Sequence, residues 1–312
     1  MDDDASLSDD RLPPDEPAAP AIDAALVRRL IAQQFPRWAQ LPVEAVRFDG
    51  HDNRTFHLGD SMTVRLPSAA GYAAQVEKEQ QWLPVLAPLL PLPVPVPVAQ
   101  GRPADGYPFN WSVMRWLDGD TAATGRIDDL TGFATDLARF LVSLQRADPT
   151  DGPRAGPHSA FRGASLKTYD AETRRAVDVL RDRIPAEKAT EVWEAALDAE
   201  WHGPPVWFHG DVAVGNLLVQ DGRLSGVLDF GCSGVGDPAC DMTIAWTMLH
   251  GASRQAFRDV LAVDEGTWAR GRGWTLWKAL ITLAEPGSVH AEWARRSLES
   301  VLDEFGHERG TP

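Results

Sequence analysis

The sequence predicts an α+β chain in two lobes: a small N-terminal β-sheet-plus-helix lobe, and a larger, mainly helical C-terminal lobe with an embedded β-hairpin. Three observations carry this. Strand-like runs crowd the N-terminal part, helical periodicity dominates beyond Ile127, and a short β island near Phe208 interrupts the helices.

The expected division is an acidic tail at 1–20, a smaller lobe at 21–116 and a larger lobe at 117–312. In the tail, Asp2, Asp3, Asp4, Asp9, Asp10, Asp15 and Glu16 face Arg11 alone, with little apolar surface to bury, which is the composition of a disordered segment. Ile22, Leu26, Leu30 and Ile31 then recur at a spacing that suits a short amphipathic helix. Val43 to Phe48, Thr55 to Leu58 and Met62 to Leu66 read as a β-meander, parted by polar turns around Gly50 and at Gly59-Asp60. Gly71 to Leu86 reads as a helix with Val76, Glu79, Gln80 and Leu83 near one another. The apolar run Leu83 to Ala99 holds Pro84, Pro88, Pro91, Pro93, Pro95 and Pro97, which a membrane-spanning helix of about 20 residues does not accommodate. It is a stiff connector leading to strands near Val96 to Gln100 and Phe109 to Trp116.

Beyond Ile127, residues Phe133, Leu137, Phe140, Leu141 and Leu144 keep helical period within Leu130 to Arg146, and helices Asp170 to Arg183 and Ala186 to Trp201 follow. Val206 to Phe208, Asn216 to Val219 and Leu224 to Leu228 are brief strands, the last two turning at Asp221-Gly222. Helices then run from about Ala239 to the C-terminus. Trp268, Trp274 and Trp277, with Lys278, fall there at spacings that mean core, with substrate stacking as the alternative, while Asp237 in Gly236-Asp-Pro reads as a helix cap with Asp241 one turn on.

Charge narrows the partners. Lysine and arginine number 30 against 45 acidic residues, a formal charge of −15 that disfavours nucleic acid and anionic membrane and favours a cationic small molecule. The two cysteines, Cys232 and Cys240, lack zinc-ligand spacing and read as buried, reduced thiols of a cytoplasmic protein. An acidic, proline-rich N-terminus lacks the basic-then-apolar order of a secretory signal. No Gly-x-Ser-x-Gly elbow supports a serine hydrolase.

The densest chemical signal is His209-Gly-Asp211-Val-Ala-Val-Gly-Asn216, followed 13 residues after Asn216 by Asp229-Phe-Gly231. An acid and an amide on one loop, with a second acid on the next strand, can meet around one hard cation. Mg2+ prefers such oxygen donors, completed by phosphate oxygens, and the remaining aspartate is free to accept a hydroxyl proton.

This order matches the protein-kinase catalytic set, with Gly210 where that set has Arg. Together with Gly236-Asp237-Pro238 and Asp241, it closely resembles the aminoglycoside phosphotransferase family and its choline, homoserine and fructosamine kinase relatives. The resemblance runs from about Phe48 to Leu283. Asn53-Arg54-Thr55-Phe56, Val64-Arg65-Leu66-Pro67, the Glu79 helix and Met114-Arg115-Trp116-Leu117-Asp118-Gly119 all fall in family order. It implies a two-lobed protein-kinase-like fold that moves the γ-phosphoryl of ATP or GTP, as the Mg2+ complex, to a small-molecule hydroxyl. By that resemblance Asp211 is the catalytic base, His209 props its loop, and Asn216 and Asp229 hold Mg2+. Val113, Met114, Arg115 and Trp116 would form a hinge whose main chain bonds the base, and Gly50 to Asn53 would cover the phosphates. Arg65 stands where kinases carry a phosphate-gripping Lys and is expected to pair with Glu79.

Resemblance and acidic charge together suggest an aminoglycoside or related amino sugar as acceptor, with Asp170, Glu172 and Glu285 as candidate carboxylates. A metabolic kinase acting on choline, homoserine, a sugar or a macrolide stays open. So does a nucleotide-binding pseudokinase, motivated by Arg65 and the glycine-poor turn.

Overall fold

A computed structural model describes residues 21–46 and 52–310; the expected acidic tail and Gly50 lie outside them. Helix α1 (Ala24–Gln34) begins where the Asp23 side chain accepts the Leu26 N–H at 2.8 Å, so Ile22 precedes the helix. Its Leu26, Val27, Leu30 and Ile31 are buried in the core of the smaller lobe.

That core is backed by one antiparallel sheet of β1 (Val43–Ala45), β2 (Asn53–Leu58), β3 (Met62–Pro67), β4 (Pro97–Gly101) and β5 (Trp111–Arg115), in the order β1-β2-β3-β5-β4. The meander is present, and the chain leaves it through α2 (Ala70–Leu86) before adding the edge strand β4 and returning as β5. Trp111 fits because residue 101 is glycine: a Cβ there would lie 1.9 Å from the indole.

The proline connector begins later than its composition suggests, because α2 continues through Pro84 to Leu86. Leu83 and Leu86 flank that proline and are buried in the core of the larger lobe, which offsets the lost backbone bond. Neighbouring residues of β5 divide likewise: Val113 belongs to the smaller core and Met114 to the larger.

The larger lobe opens with β6 (Asp120–Thr121), α3 (Leu130–Gln145), α4 (Asp170–Leu180) and α5 (Ala186–Asp198). The β island follows as β7 (Val206–Phe208), β8 (Leu217–Gln220), β9 (Arg223–Val227) and β10 (Gly234–Gly236). Helices α6 (Ile244–Thr247), α7 (Gly251–Leu261), α8 (Glu265–Ala284) and α9 (Ala291–Gly310) complete it. Strands β6, β8 and β9 form one small sheet, and β7 pairs with β10 in another. Too short and glycine-rich for a propensity signal, β10 exists because its register is set from outside: the Val235 N–H donates to Pro153 O at 2.8 Å. Trp268, Trp274 and Trp277 of α8 are buried, as their spacing predicts.

Asp237 caps the 3-10 turn Pro238–Thr243 by accepting the Ala239 N–H at 3.1 Å. It also takes two bonds from Arg270 of α8, at 2.6 and 3.1 Å, in a pair 7% exposed on both sides. Replacing Arg270→Met strands a buried carboxylate, so urea denaturation should show a loss of about 3–5 kcal/mol of stability.

Candidate active site

The site begins with a buried anchor. Asp241, fully buried, accepts the His209 N–H at 2.9 Å and the Gly210 N–H at 2.7 Å. Burial pushes its carboxyl above the ordinary aspartate value, while the two N–H groups it accepts pull the other way. The sequence suggested only a place near a helix end; the side chain instead fastens the loop that follows β7. Gly210 has φ +85°, and a Cβ there would meet the Cys232 carbonyl oxygen at 2.6 Å, so the loop passes too close to its neighbour for the arginine of the kinase set.

His209 ties this loop to its neighbours. Its Nε2 donates to Leu228 O at 2.9 Å, its Nδ1 accepts the Asp211 N–H at 3.2 Å, and its ring meets Phe230 edge-on at 4.7 Å. Asn216 donates through Nδ2 to Asp211 O at 3.0 Å and Oδ2 at 2.7 Å. Its main-chain oxygen accepts the Leu228 N–H at 2.7 Å. Both polar groups of the Leu228 backbone are thus held by the loop that carries Asp211. Asp229 comes next, in the left-handed region at φ +60°.

The smaller lobe meets this turn through Arg65 of β3. One guanidinium nitrogen contacts both Glu79 oxygens of α2, at 3.0 and 3.1 Å, and the other reaches Asp229 Oδ1 at 3.3 Å. Burial alone would lower the Arg65 pKa, but the charges of Glu79 and Asp229 outweigh it and hold the cation above its ordinary value. The expected Arg65–Glu79 pair is therefore present, and it extends to Asp229.

Two residues that the motif reading passed over join them from α2. Gln75 Nε2 donates to Asp52 Oδ2 at 3.0 Å. Lys78 Nζ donates to Gly231 O, to Ser233 O at 3.0 Å and to His158 O at 3.3 Å, and lies 3.2 Å from His158 Nδ1. Burial pushes its pKa down to about 8. Their spacing with Glu79 (i, i+3, i+4) puts all three on one helix face, a signal the sequence does contain.

The expected hinge is only partly available. The Arg115 N–H donates to Val96 O and the Trp116 N–H to Ser61 O, both at 2.9 Å, while Val113 and Met114 pair within the sheet. The Leu117 N–H, next along, has no partner among the described residues. Asn53 opens β2 opposite Pro67 and is buried.

Of the three carboxylates expected to meet an acceptor, Asp170 is engaged within the lobe: its Oδ1 accepts from Arg174 at 2.9 Å and from Trp193 Nε1 at 2.8 Å, which fastens α4 to α5. Glu172 accepts from Trp277 Nε1 at 2.7 Å, in a wall where Tyr169 stacks on Trp277 at 4.1 Å and the Arg162 guanidinium lies 4.7 Å from the same ring. Tyr169 and Arg162 of that wall lie within electrostatic reach of Cys232, and so does Asp211. Burial first, then the Asp211 charge, push the Cys232 thiol up to about 12, and Arg162 opposes them. Glu285 is exposed at the far end of α8, about 12 Å beyond Trp277 by helical rise, and does not join the wall.

The described residues contain no group of three His, Cys, Asp or Glu that could hold a metal. The candidate set is the Asn216 amide oxygen, unpartnered among the described residues, with the half-buried Asp229 carboxylate. These donors are all oxygen, which fits Mg2+ accompanied by phosphate and water. Open recesses lie elsewhere, such as one of about 400 Å³ walled by Lys167, Trp201 and Arg270, so chemistry rather than hollow size marks the site.

Known proteins resemble this chain in sequence and in fold. A model of the phosphotransferase enzyme family matches residues 44–274. An Escherichia coli aminoglycoside 3'-phosphotransferase is 37% identical over 63 residues, 20% of this chain and 23% of that one. The chain spans between about a quarter and a half of the length of the curated relatives it matches. The GDP and kanamycin complex of APH(2")-IIia superposes with a TM-score of 0.67 at 18% identity, covering 90% of this chain and 99% of that one. Macrolide 2'-phosphotransferase MphH from Brachybacterium faecium gives 0.57 at 23% identity, with 88% and 97% covered. These structures share the fold.

Because the Lys78 pKa is lowered by folding, the folded protein sheds this proton first, and between pH 8 and the ordinary lysine value the unfolded chain binds more protons. Stability relative to Lys78→Met should therefore rise as pH climbs through that window, by about 3 kcal/mol at most, in paired urea titrations at pH 7.5 and about 10.

Proposed function

From the phosphotransferase enzyme family, to which this chain belongs, we propose that it transfers the γ-phosphoryl of ATP or GTP to a hydroxyl of a small molecule. The observation that carries this is the bonded path Asn216–Asp211–His209–Leu228, which delivers Asp229 beside the catalytic loop.

Asp211 is the base. Asn216 engages its Oδ2, leaving Oδ1 to accept the acceptor's proton and to aim the hydroxyl oxygen. Mg2+, held by the Asn216 amide oxygen and Asp229, would neutralise charge on the phosphate oxygens. Arg65, oriented by Glu79, offers a fixed cation to the same phosphates; its planar head replaces the lysine point charge without copying its geometry. The Leu117 N–H is the donor we assign to the nucleotide base, since Arg115 and Trp116 have spent theirs. Asn53 belongs to the strand that leaves the phosphate-covering turn. A cytoplasmic location is part of the proposal because nucleoside triphosphate is supplied there; no described helix is long and apolar enough to cross a membrane.

The acceptor we propose is an aminoglycoside or related amino sugar. The charge of −15, the Glu172 carboxylate in the acceptor-side wall and the relatives named for aminoglycosides support it. Arg162 favours a second reading: a guanidinium over Trp277 disfavours a dense polycation and suits an acceptor with fewer amines, such as a macrolide.

Purified protein should turn over ATP or GTP in the presence of Mg2+ and an aminoglycoside, within a panel that includes macrolides, choline, homoserine and sugars. Asp211→Ala should lower kcat by about 100-fold to 10,000-fold with an unchanged cooperative melt. Equal rates in the two proteins would refute the role of Asp211, and absence of turnover with every acceptor would favour the pseudokinase. Preference for a macrolide over every aminoglycoside would move the assignment to the second reading.

A further inference from the structure

Lys78 is a buried ammonium whose bonded partners are carbonyl oxygens and an imidazole nitrogen. A charge taken out of water with no carboxylate bonded to it costs free energy unless its donors are well placed. Here they are spent on the turn that follows Asp229, through Gly231 O and Ser233 O, and on the 3-10 turn that carries His158. His158 is set to receive this contact, because its Nε2 bonds Arg154 O at 2.7 Å and leaves Nδ1 as the acceptor.

The bonds close a circuit. Lys78 holds Gly231, whose N–H donates to Asp229 Oδ1 at 3.3 Å; that same oxygen accepts from Arg65, Arg65 binds Glu79, and Glu79 adjoins Lys78 on α2. Asp229 therefore sits between two arms that start from consecutive residues of one helix. Its left-handed backbone, which costs a non-glycine residue about 1–2 kcal/mol, needs such support. Gln75 of the same face packs on the turn as well, with its Oε1 only 2.7 Å from where a Cβ of residue 231 would lie.

We infer that Lys78 is a positioning residue, the second arm that sets the Asp229 carboxylate for the Mg2+–nucleotide complex by gripping the main chain at Gly231 and Ser233. It acts through Asp229 and touches no reacting atom, and it rests on the proposed assignment of Asp229 as a metal ligand.

Lys78→Met keeps the length of the stem and removes the donors. In hydrogen–deuterium exchange without ligands, residues 229–233 should exchange at least about tenfold faster, while α3 and α7 stay at wild-type rates. In turnover assays kcat should fall by about 10-fold to 100-fold and half-saturation by Mg2+ should shift to higher concentration, with acceptor KM within about twofold. Lys78→Arg, which keeps charge and donors, should recover part of both losses. Wild-type exchange at 229–233 together with wild-type Mg2+ dependence in Lys78→Met would overturn the inference. If that variant does not fold, Lys78→Gln takes its place, with the same expected changes and the same overturning result. Failure of the proposed function reads differently: wild-type protein would transfer phosphoryl to no acceptor, while the exchange comparison still judges the arm.

Discussion

The chemistry of this molecule hangs on one peptide unit. Leu228 gives its carbonyl to His209 and its N–H to Asn216, so the turn after β9 that carries Asp229 cannot move independently of the loop that carries Asp211. Behind that loop stands Asp241, an acid buried at a cost because it meets two main-chain donors at once. Change in either place would be felt at both aspartates.

The smaller lobe contributes through charge. Arg65 is shared between Glu79 and Asp229, so a single cation spans the boundary between lobes and is kept ionised by acids from both sides. A lysine at this position would offer rotatable donors from one nitrogen; the guanidinium divides the two jobs between two nitrogens in a fixed plane. The substitution that set this chain apart in sequence thus has a place in the geometry.

Much of this was legible in advance. The β-meander, the helix that carries Glu79, the β island and the three-motif cluster follow from periodicity, turn residues and spacing, because each is encoded within a few neighbouring residues. What the sequence hid was of another kind. The anchoring of the loop by Asp241, the reach of Lys78 to Gly231 and the use of the Arg115 and Trp116 N–H groups depend on partners far away in the chain, which no local pattern reports. Asp170 misled for the same reason: its tie to Trp193 becomes visible only once α4 and α5 are packed. Strand β10 was missed because its pairing with β7 stands in for propensity. The acidic tail and Gly50 lie outside the described residues.

The anchorage of α2 has an implication for control. In protein kinases the position of the equivalent helix decides between working and resting forms. Here Leu83 and Leu86 are sunk into the core of the larger lobe, and swinging the helix away would expose both, at about 1.5–3 kcal/mol each. The proposed catalyst, with its lever rooted in the neighbouring lobe, has no cheap resting posture. Its output then follows how much protein is made and how much nucleotide and acceptor surround it.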